Sequence, residues 1–356
     1  MITIGIDFHK KTSTCCVITQ NGQTLKNCKI MNNKKNIREF IQSFNESKRI
    51  AMESTRSWGL FYETIKDLSD DFQLGHPLKM KAISSCETKN DKVDANMIAR
   101  LAHNNFLPKV FIPNISIRDL RAVVRFRGIL VNQRRSIRNQ IHALIDNNVW
   151  PDDKPKSFKN IFCKRGREWL STLALSENQR FILDKSLEAF DQISEQILSI
   201  EAFLQQQEVD IPGLKYLRST PGFKFSKINA YCVLLEIADI KRFRKATGLM
   251  HYAGFIPREY SSGEKYRTGR LIKQANMRLR TAIIESTFAA IRTDPGLKAY
   301  YKSVKLRRGS GPAIIATARK LCKAIYYVLK EQRSYKLESF KPPVAACHSS
   351  MAKSCI

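Results

Sequence analysis

The first thirty residues constrain the fold more than any other part of the chain. Three isoleucines alternate over residues 2–6, a second apolar run covers residues 15–18, and a third strand is predicted over residues 25–30. The dipeptide Asn21-Gly22 predicts a tight hairpin between the second and third strands, because both residues tolerate a positive φ. The chain is therefore predicted to open with an antiparallel meander.

Helical and strand patterns alternate after this meander. A helix is predicted over residues 37–44, a short apolar strand over 49–53, a helix over 60–68 and a strand over 79–84. An opening hairpin followed by alternating helices and strands is the order expected of a ribonuclease-H-like α/β domain, although other α/β folds share much of it.

Two long helices are predicted in the middle of the chain. The first covers residues 116–147, begins at Ser116 as its N-cap, and is rich in arginine; the second covers residues 176–207 and carries acidic residues around an apolar heptad seam. The two helices could pair as an antiparallel coiled coil, or the seam could form a dimer. A run of one charge sign on this scale favours nucleic-acid contact over a solvated face.

The last third of the chain is predicted to be mostly helical. Its segments are a turn over 219–223, a helix over 226–237, a loop over 254–270 and helices over 275–292 and 312–331. We expect four regions: an α/β domain at 1–110, a helical connector at 111–209, a helical domain at 210–335 and a disordered tail at 336–356.

The charge balance points to a polyanionic partner. The chain has 61 Lys and Arg against 32 Asp and Glu, a net charge of +29, which favours a long contact with nucleic acid. A membrane partner is not expected, because no apolar stretch of about 18 residues exists. The opening residues form a strand pattern rather than a signal peptide, and the nine cysteines include no Cys-x-x-Cys pair. We expect reduced thiols in a cytoplasm and no zinc.

Four carboxylates have the arrangement of a metal site. Asp7 follows the buried isoleucines and is expected on the same inward-facing side, where a carboxylate is costly without a cation. Glu53 closes an apolar strand, and Asp91 and Asp94 stand three apart on one face of a predicted helix. Taken singly, Asp91 could be only an N-cap and Glu53 a surface residue. Together they suit a pair of Mg²⁺ ions, with Mn²⁺ as an alternative.

Six sequence motifs, in order, resemble one family. They are IGID at 4–7, MEST at 52–55, KNDKVDA at 89–95, STPG at 219–222, LEIADIKRF at 235–243 and YAGFIPREYSSG at 252–263. This series resembles the IS110/IS1111 family of insertion-sequence transposases, which also includes the Piv DNA invertases. The resemblance covers about residues 2–335.

The resemblance implies a RuvC-like domain, a coiled-coil connector and a helical C-terminal transposase domain that supplies a nucleophilic serine. The serine falls on Ser262, with the adjacent Ser261 as an alternative. The implied reaction is Mg²⁺-dependent DNA strand cleavage and exchange; the alternatives are a RuvC-like nuclease or Holliday-junction resolvase that uses metal-activated water, and a site-specific invertase. The tetrad of catalytic and metal-binding carboxylates falls on Asp7, Glu53, Asp91 and Asp94.

The family also implies partners: donor and target DNA, a noncoding guide RNA called the bridge RNA, and a homodimer or homotetramer in a prokaryotic cytoplasm, associated with the nucleoid.

One departure lies after the serine, where the family pattern leads us to expect glycine and the chain has Ala275, which adopts a positive φ less easily. The predicted nucleic-acid contacts are Arg118, Arg121, Arg125, Arg134, Arg135 and Arg138 on the long helix, and Lys265, Arg267, Arg270 and Lys273 near the serine.

Overall fold

A computed structural model describes most of the chain and divides it into two compact units, Met1–Ile112 and Pro113–Ile356. Among the described residues, no helix has the length and apolar character needed to cross a bilayer. The predicted tail beyond Lys336 lies outside the described residues. The structure describes residues 1–83, 90–154, 160–206, 211, 213–224, 226–262, 265–272 and 274–336.

Unit 1 is a five-stranded mixed sheet with helices on both faces. The strands are β1 (Ile2–Phe8), β2 (Thr12–Ile18), β3 (Thr24–Met31), β4 (Lys48–Glu53) and β5 (Asp71–Gly75); the helices are α1 (Lys34–Gln42), α2 (Trp58–Ile65), α3 (Pro77–Ile83) and α4 (Asp91–His103). The strand order is β3-β2-β1-β4-β5, with β2 antiparallel to β1 and β3, and with β1, β4 and β5 parallel. This confirms the predicted ribonuclease-H-like domain.

The strand predicted over residues 79–84 is wrong. The fifth strand is β5, which lies earlier and buries Leu74, and the segment after it is the short helix α3. Pro77 occupies the first position of α3, where its fixed φ suits a helix and its missing N–H costs nothing. Residue 84 lies outside the described part of the chain.

The two faces of β1 are covered by different helices. Ile4 and Ile6 pack in a cluster with Ile37 of α1 and Phe61 of α2. Because strand residues alternate, Asp7 lies on the opposite face, which α4 covers. The expectation that Asp7 continues the isoleucine side is therefore wrong: it shares a face with Gly5.

Gly5 sets how closely α4 approaches β1. A Cβ at this position would lie 2.4 Å from the Ala95 carbonyl oxygen and 2.4 Å from the Ala99 amide nitrogen. Both neighbours are backbone atoms of α4, so neither can turn aside as a side chain would. The helix therefore rests directly on the strand backbone.

We expect Gly5→Ala to destabilise unit 1 by about 1–3 kcal/mol, the usual cost of overpacking. Differential scanning calorimetry should record a melting temperature lowered by several degrees. Gly128→Ala is the matched control, because a Cβ at Gly128, within the long first helix of unit 2, meets nothing within 4 Å. An unchanged melting temperature in Gly5→Ala would contradict the close approach.

Within its described residues, unit 2 is mostly helical and contains a β-hairpin. The elements are α5 (Ile115–Asn148), α6 (Lys164–Thr172), α7 (Glu177–Gln206), α8 (Leu214–Ser219), α9 (Lys227–Ile237), α10 (Ala246–Tyr252), β6 (Pro257–Ser262), β7 (Lys265–Leu271), α11 (Met277–Thr293), α12 (Pro295–Arg308) and α13 (Ser310–Lys330). Short 3-10 turns lie at Pro151–Asp153 and Ile240–Arg242. The main core of the unit gathers side chains of α9, α11 and α13 with those of the helices around them.

The long helices α5 and α7 pack antiparallel against each other within one chain. Val124 near the start of α5 shares a core with Leu204 near the end of α7, and Ile145 at the other end of α5 packs with Leu183. The apolar seam of α7 is thus used inside the chain. The predicted N-cap Ser116 is wrong: Asn114 caps α5, and its side chain accepts the Ile117 N–H at 2.9 Å.

The loop predicted over residues 254–270 is wrong, because it contains the antiparallel hairpin β6–β7. Helix α12 was also not predicted. Ala275 is not among the residues with a positive φ, so its side chain causes no backbone strain. Gly254 makes room for it instead, since a Cβ at Gly254 would lie 2.5 Å from the Ala275 Cβ.

Candidate active site

Two carboxylates lie side by side at the ends of neighbouring parallel strands. Ile6 of β1 pairs with Met52 of β4, so the next residues, Asp7 and Glu53, are level in the sheet. Ala51, two residues before Glu53, packs against α4 residues, and Glu53 therefore points to that same face. The sheet alone brings the first two predicted ligands together.

The other two carboxylates belong to the first turn of α4. Asn90 is the N-cap of this helix, and its side chain accepts the Val93 N–H at 2.9 Å. The interpretation of Asp91 as the N-cap is therefore wrong. With the cap supplied by Asn90, the carboxylates of Asp91 and Asp94 are available for another role.

The pKa of Asp7 is raised above its ordinary value. Burial is the largest cause; His9 opposes it, and the negative charges of Asp94 and Asp91 add to it. Oδ2 of Asp7 is buried and accepts no well-aligned hydrogen bond within the described residues. A bound cation would relieve both the repulsion and the lost hydration of this oxygen.

Two nitrogen-bearing side chains lie close to these carboxylates. Nε2 of His9 is 3.0 Å from Asp7 Oδ2 and 3.3 Å from Asp91 Oδ1, and Nζ of Lys29 is 3.8 Å from Asp91 Oδ2. Asp7, Thr14 and Lys29 stand opposite one another across β1, β2 and β3. His9 was not predicted from the sequence, although its position two residues after Asp7 was a usable signal.

The donor set fits a divalent cation. One ligand atom from each of Asp7, His9 and Asp91 lies within 4.8 Å of the other two, and no backbone atom has to move to make this group. Glu53 and Asp94 lie outside that tight group but border the same face. Carboxylate oxygens are the ligands that Mg²⁺ and Mn²⁺ prefer, so the residues suit such an ion.

The predicted serine lies at the tip of the unit 2 hairpin. Ser262 is the last residue of β6 and pairs with Lys265, the first residue of β7, while Ser261 pairs with Tyr266. Gly263 lies outside the described residues. Both candidate serines thus lie at the end of β6.

Arg280 fixes the base of this hairpin. Its guanidinium donates to the carbonyl oxygens of Ala253, Gly254 and Ile272, which lie before β6 and after β7. The side chain is thus committed to positioning the hairpin. Arg267 and Arg270 on β7 are exposed, whereas Lys273 and the side chain of Lys265 lie outside the described part of the molecule.

Comparison with known proteins identifies the chain. Residues 4–149 match the DEDD transposase model of the IS110 type, and residues 214–302 match the model described as Transposase IS116/IS110/IS902 family. The chain belongs to the IS110/IS1111 family of transposases. It is a DNA phosphoryl-transfer enzyme that performs transposition, and its DEDD domain implies a divalent metal ion.

Several relatives match the transposase along most of its length. It is 23% identical to the transposase for insertion sequence element IS1111A of Coxiella burnetii, over 94% of this chain and 91% of that protein. It is 21% identical to a probable family 20 transposase of Pseudomonas aeruginosa, over 94% of this chain and 98% of that protein. Both units are therefore part of the similarity.

The arginines of α5 divide into two groups. Arg121 donates to the Leu235 carbonyl oxygen, and Arg125 makes a bidentate pair with Glu236, with both N–O distances at 2.8 Å. These two guanidinium groups hold α9 against α5. The remaining predicted contacts differ in exposure: Arg118 and Arg134 are half-buried, and Arg135 and Arg138 are exposed.

Glu236 is the buried centre that joins α5, α9 and the start of α11. Its side chain is 3% exposed and also accepts a hydrogen bond from Asn276, the N-cap of α11, at 2.8 Å. Burial acts to raise the pKa of Glu236, but the hydrogen bonds from Arg125 and Asn276 outweigh it and hold the pKa below its ordinary value. No sequence pattern singled out this residue.

We expect Glu236→Ala to destabilise unit 2 by about 1.5–3 kcal/mol, because Arg125 and Asn276 lose their hydrogen bonds to a buried carboxylate. A depressed folded pKa means that Glu236 contributes stability above its unfolded pKa of about 4.3, and that this contribution is lost as the pH falls through the folded value. Hydrogen exchange of α9 and α11 should record the loss at pH 7 and a smaller difference in acid.

The control for this change is Glu195→Ala, which removes an exposed glutamate from α7. A surface change of this kind should alter stability by less than about 0.5 kcal/mol. Equal exchange rates in the two variants would contradict the central role of Glu236.

Proposed function

We propose that the transposase cuts and rejoins DNA through a serine nucleophile, with the tetrad Asp7, Glu53, Asp91 and Asp94 holding two Mg²⁺ ions. The observation that carries this proposal is the convergence of the four carboxylates on one face of a ribonuclease-H-like sheet, two from neighbouring strands and two from the first turn of α4. Several carboxylates from different elements are what a two-ion phosphodiester site requires.

The proposed chemistry conserves the energy of the phosphodiester bond. The Ser262 hydroxyl attacks the phosphorus, loses its proton, and forms a phosphoserine ester while the DNA 3′-oxygen leaves as a hydroxyl. A 3′-hydroxyl of the partner strand then reverses the step and releases the serine. The bound ions would neutralise the charge that develops on the phosphoryl oxygens. Ser261 is the alternative nucleophile.

Two exposed regions suit phosphate groups. An open groove of about 790 Å³ borders Asp91 and is lined by Lys29 and Lys92. A smaller recess of about 270 Å³ on unit 2 is lined by Arg134, Arg135 and Arg138. We propose both as nucleic-acid contacts, together with Arg267 and Arg270, because cationic side chains at the protein surface position the phosphate backbone.

We further propose that a noncoding bridge RNA guides the enzyme and that it acts as a homodimer or homotetramer. The net charge of +29 supports a polyanion contact larger than the cleavage site needs. A protein that delegates sequence reading to RNA recognises helix shape and backbone.

An in vitro recombination assay tests this function. Purified transposase is mixed with donor and target DNA and Mg²⁺, with and without RNA transcribed from the DNA that flanks its gene. We expect joined products only when both RNA and Mg²⁺ are present, and products whose junction shifts when the pairing segment of the RNA is changed. Equal recombination without RNA would refute guidance but leave the carboxylate site intact.

A further inference from the structure

The imidazole in the carboxylate centre contacts two carboxylates at once. Nε2 of His9 lies between two carboxylates that come from different elements, at 3.0 Å from one and 3.3 Å from the other. Asp7 belongs to β1 and Asp91 to α4, so the imidazole contacts both the strand and the helix. We propose that His9 is a direct metal ligand, which makes the centre a mixed nitrogen and oxygen site.

The spacing of the three atoms supports coordination of one ion. Two ligands at right angles around an ion with bonds of about 2.1 Å lie about 3.0 Å from each other. The two measured distances from His9 Nε2 match that separation. An ion placed near the three atoms would therefore form a bond to each of them, where they now contact one another. The side chains would need only small shifts to bind it.

Hydrogen bonds hold the backbone of His9 in place. The His9 N–H donates to the Thr12 carbonyl oxygen at 3.1 Å, and the His9 carbonyl oxygen accepts from Asn32 Nδ2 at 2.7 Å. Asn32 is itself held by the Ser13 hydroxyl at 2.6 Å. The residue thus lies in a turn that is tied to the end of β3, which keeps its backbone near Asp7.

A nitrogen ligand changes which ion the site prefers. Imidazole binds transition-metal ions better than it binds Mg²⁺, which favours an all-oxygen shell. The proposed ligand therefore gives the centre a higher affinity for Mn²⁺ than four carboxylates alone would supply. This inference rests on the proposed metal site, because it adds a ligand to it.

Pulsed electron paramagnetic resonance with Mn²⁺ and ¹⁵N-histidine-labelled transposase tests the assignment directly. We expect a hyperfine coupling from one histidine nitrogen in the wild type and its loss in His9→Asn. Titration should give a Mn²⁺ affinity at least about tenfold weaker in His9→Asn, since even indirect partners of ligands contribute this much. The Mg²⁺ affinity should fall less.

The matched control is His103→Asn, the same substitution at the last residue of α4, at the opposite end of this helix from Asp91 and Asp94. This variant should keep the coupling. Bound Mn²⁺ without a nitrogen coupling in the wild type would overturn the His9 assignment and leave the carboxylate site standing. A coupling that survives in His9→Asn would overturn it as well. Failure of the wild type to bind Mn²⁺ at all would refute the metal site and the ligand together.

Discussion

Asp7→Asn transposase is expected to cleave DNA at least about 10³-fold more slowly than the wild type. The substitution removes the negative charge of the carboxylate that interacts with both Asp91 and Asp94, and keeps the shape of the side chain. Several kcal/mol of charge stabilisation depend on the ions it helps to hold, and each 1.4 kcal/mol corresponds to a factor of ten in rate. Quantifying nicked products from a labelled element-end duplex measures the loss.

Stability gives this prediction a second readout. The pKa of Asp7 is raised in the folded protein, so its ionised form opposes folding when no metal is bound. The protonated carboxyl group therefore favours the folded state in acid. This contribution is lost as the pH rises from the unfolded pKa of about 3.9 through the higher folded pKa. Metal-free Asp7→Asn should therefore melt no lower than the wild type at pH 7. Added Mg²⁺ should raise the melting temperature of the wild type but not that of Asp7→Asn.

Asp67→Asn is the control, because it removes an exposed aspartate of unit 1 that pairs with Arg38 away from the tetrad. It should cleave at the wild-type rate and keep the Mg²⁺ effect. Cleavage by Asp7→Asn at the wild-type rate would contradict a catalytic role for this carboxylate and move the chemistry elsewhere in the protein.

Ser262→Ala is expected to abolish the covalent protein–DNA adduct and to lower recombination by at least about 10³-fold, as loss of a nucleophile does. The wild type, quenched with denaturant during the reaction, should yield a band in which DNA remains bound to protein. Ser261→Ala is the matched control, since the two serines are adjacent in β6. It should keep the adduct.

The outcomes separate the candidate mechanisms. An adduct lost in Ser261→Ala and kept in Ser262→Ala moves the nucleophile by one residue. Mg²⁺-dependent cleavage by the wild type without any adduct would instead establish a RuvC-like nuclease or resolvase that uses activated water.

The sequence predicted those features that depend on local pattern. Alternation at Ile4 and Ile6 and the Asn21-Gly22 turn predict the opening meander, and the three-residue spacing of Asp91 and Asp94 predicts a shared helix face. The sequence carries these signals because the periods of strands and helices involve only a few neighbouring residues. The fold class could therefore be predicted without coordinates, and the four carboxylates could be selected as candidate ligands.

Other features depend on contacts between distant segments. Arg125 and Arg135 look alike on α5, and only the position of α9 makes the first a half-buried partner of Glu236 and leaves the second exposed. His9 follows the same logic, because its role depends on Asp91, which reaches it from another element. Sequence patterns carry no information of this kind unless the tertiary pairing is known.

The contact of Gly5 with α4 has a consequence for how the tetrad is built. Two of its members lie on the strands and two on the helix, and the missing side chain of Gly5 lets the helix backbone rest on the strand between them. Residue 5 is thus a spacer that sets how closely the two pairs of carboxylates approach each other. A larger residue there would move the helix pair away from the strand pair while all four carboxylates stayed chemically intact, so the spacing of the proposed metal ligands can be adjusted at this position.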